Sequence, residues 1–202
     1  MAVAGRVDAA MTAVPREHFL PRGQRRHRDR DAPLPIGHGQ TNSQPTTVRQ
    51  MLELLDVQPG DRVLDVGSGS GWTTALLAWL TGADGSVVGV ERVPDLVAFG
   101  AANVQAAGMP WARVSAAAPG RFGVPSQAPF DRILVSAQAN ELPGELVEQL
   151  APGGVLVGPV GGRMLRVRAA SGGEGGGPTV EEHGWYRFVP LVADPPEEPQ
   201  VD

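Results

Sequence analysis

The chain contains neither cysteine nor lysine. Without cysteine it has no disulfide, no thiol nucleophile and no thiolate for a structural zinc. Without lysine it has no Schiff base and no lysine to reach a nucleotide phosphate in a P-loop. The four histidines are scattered, with no pair four residues apart, so metal chemistry is not expected. No apolar run approaches the ~20 residues needed to cross a bilayer. The opening MAVAGRVDAAMTAV also lacks the basic start and continuous apolar block of a secretory signal, so a cytosolic protein with no membrane contact is expected.

What is present suits a single globular domain. A chain of 202 residues, 42% hydrophobic and 19% charged, can bury one sizeable core. The expected organisation is one domain over residues 1–193, with an N-terminal helix and loop to residue 44, a core from 45 to 160 and closing strands from 161 to 193. Residues 194–202, DPPEEPQVD, read as a disordered tail. The formal charge is −5, carried against arginine alone, and positive charge gathers in RGQRRHRDR from Arg22 to Arg30. Asp29 and Asp31 interrupt that run, which reads as a solvated loop with internal ion pairs.

Periodicity supplies the fold class. Val48, Met51, Leu52 and Leu55 fall on one helical face behind Pro45, a residue suited to a first turn. RVLDV (62–66) reads as a buried strand, followed by a helix over 73–80, a strand over 86–90 and a helix over 94–107. Weaker strand signals follow near Val114 and over 132–135. Leu142, Leu146, Val147 and Leu150 line a further helix, and Val155 to Val160 make another strand. RMLRVRA and YRFVPLV read as two antiparallel strands joined by SGGEGGGP. The whole is an α/β, Rossmann-like fold: a central, mostly parallel sheet with helices on both faces and an antiparallel C-terminal hairpin.

Chemistry enters at VLDVGSGSGW. Gly67, Gly69 and Gly71 alternate with Ser68 and Ser70, and Trp72 stands where a nicotinamide fingerprint wants glycine or alanine. Glycines after a first strand allow a tight turn and close ligand approach. Asp65 adds a carboxylate at the lip of that turn, which repels a pyrophosphate and attracts an ammonium or sulfonium. Glu91, with Arg92 beside it, closes the second strand about twenty residues on, where a carboxylate can accept from ribose hydroxyls. Together these residues fit S-adenosylmethionine. The strand DRILVS runs into AQANELP and lacks the Asn or Asp with Pro-Pro-aromatic that grips a planar amine, so an oxygen acceptor is expected and nucleic acid is not.

The polar stretch GHGQTNSQP, from Gly37 to Pro45, contains no aliphatic side chain. A serine just before a helix is often only a cap. Yet PLPIGHGQTNSQP, with VPREHFLP, VLDVGSGSGWTTALLA, PFDRILVSA, LPGELVEQLAPGGVLVGPVG and FVPL in the same order, resembles the protein-L-isoaspartate O-methyltransferase family. The resemblance runs from about Val14 to Leu191. It implies S-adenosylmethionine as cofactor, a protein or peptide substrate carrying isoaspartyl residues, and repair through methyl ester and succinimide. A monomer is expected.

The same resemblance makes Ser43 the active-site serine and puts Gln40, Thr41 and Asn42 between cofactor and substrate. A carboxylate is already nucleophilic, so the site must supply alignment and exclusion of water rather than a base, and Ser43 is read as a positioning hydroxyl. The Arg22–Arg30 run and the Leu34–Gly39 loop are expected walls of the peptide site.

Some positions depart from the family pattern. Ala118-Pro119-Gly120 stands where the family has Gly-Asp-Gly, whose aspartate accepts from the adenine amino group, and Asn42 replaces a usual isoleucine. Two alternatives therefore stay open: a methyltransferase dedicated to an aspartate of one partner or peptide, and a degenerate protein that binds cofactor without catalysis. Arg163 is expected in a structural ion pair.

Overall fold

The structure is a computed structural model that describes residues 2–171 and 177–193. The proposed tail from residue 194 onward and most of the glycine-rich loop lie outside the described residues.

Helix α1 (Val3–Ala13) leads through short 3₁₀ turns to a small hairpin of β1 (Leu34–Gly37) and β2 (Gln40–Asn42). The polar nonapeptide is therefore mostly an antiparallel hairpin, turned by His38 and Gly39, both at positive φ. Helix α2 (Pro45–Leu55) follows and buries Val48, Met51, Leu52 and Leu55, the face marked by the sequence period. Then β3 (Arg62–Val66), α3 (Trp72–Thr81), β4 (Ser86–Glu91), α4 (Pro94–Ala106), β5 (Ala112–Ala116) and β6 (Phe130–Val135) alternate. A one-turn helix α5 (Gly144–Val147) precedes β7 (Leu150–Val160), β8 (Arg163–Arg168) and β9 (Thr179–Trp185).

The seven-stranded sheet has the order β5-β4-β3-β6-β7-β8-β9. The first five of these strands run parallel; β8 is antiparallel to β7, and β9 is antiparallel to β8. The chain starts in the middle at β3, winds outward through β4 and β5, then crosses back to β6 on the other side. The resulting switch between β3 and β6 opens a crevice at the carboxyl ends of the strands, the place where such sheets bind ligands.

Alternation along the strands divides the core into two layers. Val63, Val87, Leu134, Val155 and Val157 face α1, α2 and α3. Leu64, Val66, Val88, Val90, Ile133, Val135 and Leu156 face the opposite layer, closed by Phe130 and Leu146 and by the partly buried Phe122, Val124 and Val147. Nine of the ten residues of α3 are buried. That helix is wedged between the sheet and α1, which explains why its sequence is apolar all round.

Two elements differ from the sequence reading. The strand expected at YRFVPLV is instead Thr179–Trp185, just before it. TVEEHGW is an exposed edge strand with no apolar face to announce it. The apolar Phe188 and Leu191 pack down onto the two core layers rather than pairing in a ladder. The helix expected through Leu150 is cut to a single turn, because Leu150 already opens β7, pairing with Phe130 ahead of a register shift.

Candidate active site

The glycine turn sits at the carboxyl end of β3, on the switch point. The N–H groups of Gly67 and Ser68 both donate to the Val90 carbonyl, at 2.9 and 3.1 Å, which folds the turn back over β4. Gly67 and Gly69 have φ of 79° and 51°, values that favour glycine. At the end of β4 the carboxylate of Glu91 accepts from the N–H groups of Gly69 (3.0 Å), Arg92 (2.8 Å) and Val93 (2.9 Å). Gly67, Gly69, Glu91 and Arg92 line a cavity of about 150 Å³, closed further out by Ala117, Ala118 and Phe122 and by the segment 189–193.

Against this turn lies the β1–β2 hairpin, held from beneath by Arg16. That guanidinium is buried and donates to the Asn42 side-chain oxygen (2.6 Å) and to the carbonyls of Arg30, Ala32, Asn42 and Ser43 (2.8 to 3.0 Å). It lies 5.6 Å from the centroid of the Trp72 ring. Burial lowers the Arg16 pKa to about 10, with the charge of Asp31 acting the other way, so the group stays cationic at neutral pH. Asn42 in turn donates to Ser70 Oγ at 3.0 Å, and the Ser70 carbonyl accepts from Asn103 on α4. Hairpin, glycine turn and α4 thus form one hydrogen-bonded body.

Ser43 follows immediately. The N-cap of α2 is Gln44, with no side-chain cap bond, so Ser43 does not serve as the cap. It instead lines a wide cavity of about 580 Å³ with Thr46, Thr47 and Gln50 of α2 on one side and residues 185–189 on the other. A slot of about 30 Å³ lies where the serine loop meets the glycine turn, and Thr41 and Ser136 line both cavities and the slot.

Asp65 lies behind the turn, fully buried. Its Oδ2 accepts from the hydroxyls of Thr73 and Thr74, both at 2.7 Å, and its Oδ1 has no partner. Burial pushes its pKa up to about 6; the two threonine hydroxyls oppose the rise and the charge of Glu91 adds to it. Ser68 Oγ and Ser136 Oγ are likewise buried without a partner.

Comparison with known proteins places the chain in a family. The family profile described as Protein-L-isoaspartate(D-aspartate) O-methyltransferase matches residues 1–195. This chain belongs to that family. A Protein-L-isoaspartate O-methyltransferase of Methanopyrus kandleri is 44% identical over 94% of this chain and 84% of its own. One of Pyrococcus horikoshii is 40% identical over 94% and 86%. A Plasmodium falciparum protein assigned to the same enzyme class, solved with S-adenosyl-L-homocysteine, superposes with a TM-score of 0.76 at 28% identity, over 94% of this chain and 91% of that one.

The residues present fit the sulfonium cofactor that such methyltransferases use. A carboxylate lines the cavity at Glu91, two glycines leave the backbone open, and unpartnered polar atoms of Asp65 and Ser68 lie behind the turn. Thr41, Gly67, Gly69, Glu91 and Arg92 line the larger cavity on this side, and Asn42, Ser68 and Ser70 line the slot.

In this protein-L-isoaspartate O-methyltransferase family member the structure places several of the expected residues away from the cavities. Asp65 is not at the lip of the turn: it is 0% exposed and lines no cavity. Gly71 is not among the residues lining the cofactor-side cavity or the slot; an added Cβ there would point to α4, 2.8 Å from the Gly100 carbonyl oxygen. The Arg22–Arg30 run lines neither cavity. Arg28 pairs with Glu17 at 3.0 Å and with Asp29 at 3.7 Å. Of the Leu34–Gly39 loop, only Ile36 reaches a cavity, on the cofactor side.

Pro119 is absent from the cavity wall, whereas its neighbour Ala118 is part of it. Arg163 pairs with Glu182 at 3.4 Å and stacks 3.8 Å from the Trp185 ring centroid. The sequence reading missed Arg16, Ser136 and the wall formed by residues 185–193. Arg16 and Ser136 lie in segments that carried the family resemblance, VPREHFLP and PFDRILVSA, and the wall contains a third, FVPL at 188–191, which was the available signal.

Proposed function

We propose that this chain is an S-adenosylmethionine-dependent carboxyl O-methyltransferase acting on L-isoaspartyl residues of damaged proteins, in the cytosol, as a monomeric single domain over residues 1–193. The observation that carries this reading is the location of Ser43 on both the narrow slot beside the glycine turn and the wide cavity beyond it. In this reading a peptide carboxylate enters through the wide cavity and meets the cofactor at the slot. Glu91 would hold the ribose, while Thr41, Asn42, Gly67, Ser68, Gly69, Ser70 and Arg92 would surround the rest of the cofactor.

When bound, S-adenosylmethionine supplies an electrophilic methyl group on a positively charged sulfur. An ionised carboxylate needs no base to attack it, so the protein must align and desolvate. Ser43 would hold the carboxylate through its hydroxyl without competing as a nucleophile. The slot of about 30 Å³ has room for only one or two waters beside the reacting groups. Arg16 would fix the loop from below by binding the carbonyls of Asn42 and Ser43.

Labelled cofactor with a matched pair of isoaspartyl and aspartyl peptides tests this. Labelled, base-labile ester on the isoaspartyl peptide alone is the expected result, and no ester on either overturns it. The cavity wall beyond Glu91, formed by Ala117, Ala118, Phe122 and Gly123, carries no acid for an adenine amino group and favours a second reading, a cofactor-binding protein without turnover. Saturable heat with the cofactor but no ester on any peptide would select it.

A further inference from the structure

Ser136 follows the end of β6, where its N–H donates to the Val66 carbonyl at 2.8 Å and fixes the residue beside the glycine turn. It shares with Thr41 the wall common to both cavities and the slot. Its hydroxyl is sealed from solvent and has no hydrogen-bond partner. Buried hydroxyls almost always find one, and one left unmet is destabilising. An unmet donor at a crossing of cavities fits a ligand that satisfies it on arrival.

Ser68 has the same defect but lines only the slot on the glycine-turn side, so it addresses the cofactor. Ser136 also lines the wide cavity that holds Ser43, so a rotation about its χ1 would turn the buried hydroxyl toward the acceptor. A carboxylate has two oxygens with about four acceptor sites. While one oxygen forms the new bond to carbon, the other must be held still, and a neutral O–H does this without lowering the nucleophilicity of the group as a cation would.

Resting on the function proposed above, we propose that Ser136 is a second substrate-holding hydroxyl, donating from the sheet side to the non-attacking oxygen of the acceptor carboxylate while Ser43 holds it from the hairpin side. No proton is lost from Ser136 in this step. The carboxylate oxygen bonds to the methyl carbon as the carbon–sulfur bond breaks, and that bond's electron pair goes to sulfur.

The full chain and Ser136→Ala, compared in three measurements, test the assignment. For methylation of an isoaspartyl peptide, kcat/KM is expected to fall roughly 10- to 100-fold, the range for one hydrogen bond to a charged group. The Kd for S-adenosylhomocysteine by calorimetry should stay within about twofold, and the thermal midpoint should hold or rise because an unmet polar group has gone. Unchanged kcat/KM beside an active wild type overturns the assignment and leaves the function intact. A Kd weakened in step with kcat/KM also overturns it, making the hydroxyl a cofactor contact. A midpoint that falls together with kcat/KM makes Ser136 structural. A wild type that forms no ester removes both proposals.

Discussion

Asn42 Nδ2 donates to Ser70 Oγ across 3.0 Å, tying the hairpin that carries Ser43 to the turn that closes the cofactor cavity. The same amide accepts from Arg16 Nε at 2.6 Å. Both ends of Asn42 are therefore used, and its side chain is a polar brace between hairpin and turn. Asn42→Ala removes the acceptor for a buried guanidinium and the donor for a buried hydroxyl at once. A loss of about 2 to 4 kcal/mol is expected from unfolding in urea, since a buried charged group is left under-satisfied. Asn42→Ile should restore little, because it leaves Arg16 Nε equally unmet.

Ser43→Ala separates a positioning hydroxyl from a helix cap. Among the described residues its hydroxyl makes no hydrogen bond to α2, whose N-cap is Gln44. Stability should therefore move by no more than about 0.5 kcal/mol. Methyl transfer should fall roughly 10- to 100-fold with unchanged affinity for S-adenosylhomocysteine. Loss of stability in proportion to activity would return Ser43 to a structural role.

Gly67 and Gly71 share a motif but not a duty. At Gly71, with φ 82°, an added Cβ would stand 2.8 Å from both the Gly100 oxygen and Val104 Cγ2. Gly71→Ala should destabilise by about 2 to 4 kcal/mol through overpacking and left-handed strain. At Gly67, with φ 79°, the nearest atom would be 3.7 Å away, so Gly67→Ala should cost only about 1 to 2 kcal/mol of strain. Because Gly67 lines the cofactor cavity, its variant should lose more affinity for S-adenosylhomocysteine than stability. Calorimetry and thermal melts on the two variants check the opposite ranking.

How far these duties could be read from sequence depended on whether packing left a periodic trace. The β3–turn–α3 unit was legible because two-sided burial makes both elements apolar and the turn requires glycine. The same letters could not tell Gly67 from Gly71, since cavity and helix contact both exclude a Cβ. Arg16 looked like any surface arginine; only the five oxygens around it reveal its burial. β9 was displaced because a strand exposed on both faces carries no alternation, while YRFVPLV is apolar for another reason, covering the ends of the two core layers. Ser136 had no pattern at all, since an unpartnered hydroxyl is a property of its surroundings.

Asp65 should make the protein sensitive to pH near 6. Its folded pKa is raised from 3.8 to about 6, chiefly by burial, so the folded state binds the proton more tightly than the unfolded chain. The stability this gives is full below pH 3.8 and is lost as pH rises through about 6. Asp65→Asn keeps an oxygen for the Thr73 and Thr74 hydroxyls without the charge. The variant should therefore exceed wild type in stability at pH 8, by at most about 3 kcal/mol, and match it more closely at pH 4. Although Asp65 lines no cavity, a cation bound at the turn would favour its ionised form through space. Affinity for the cationic cofactor should then weaken as pH falls through about 6 in the wild type, while that of Asp65→Asn should be lower at pH 8 and nearly flat. A variant that gains stability at pH 8 but binds S-adenosylmethionine as tightly as wild type would show that this buried carboxylate serves the fold alone.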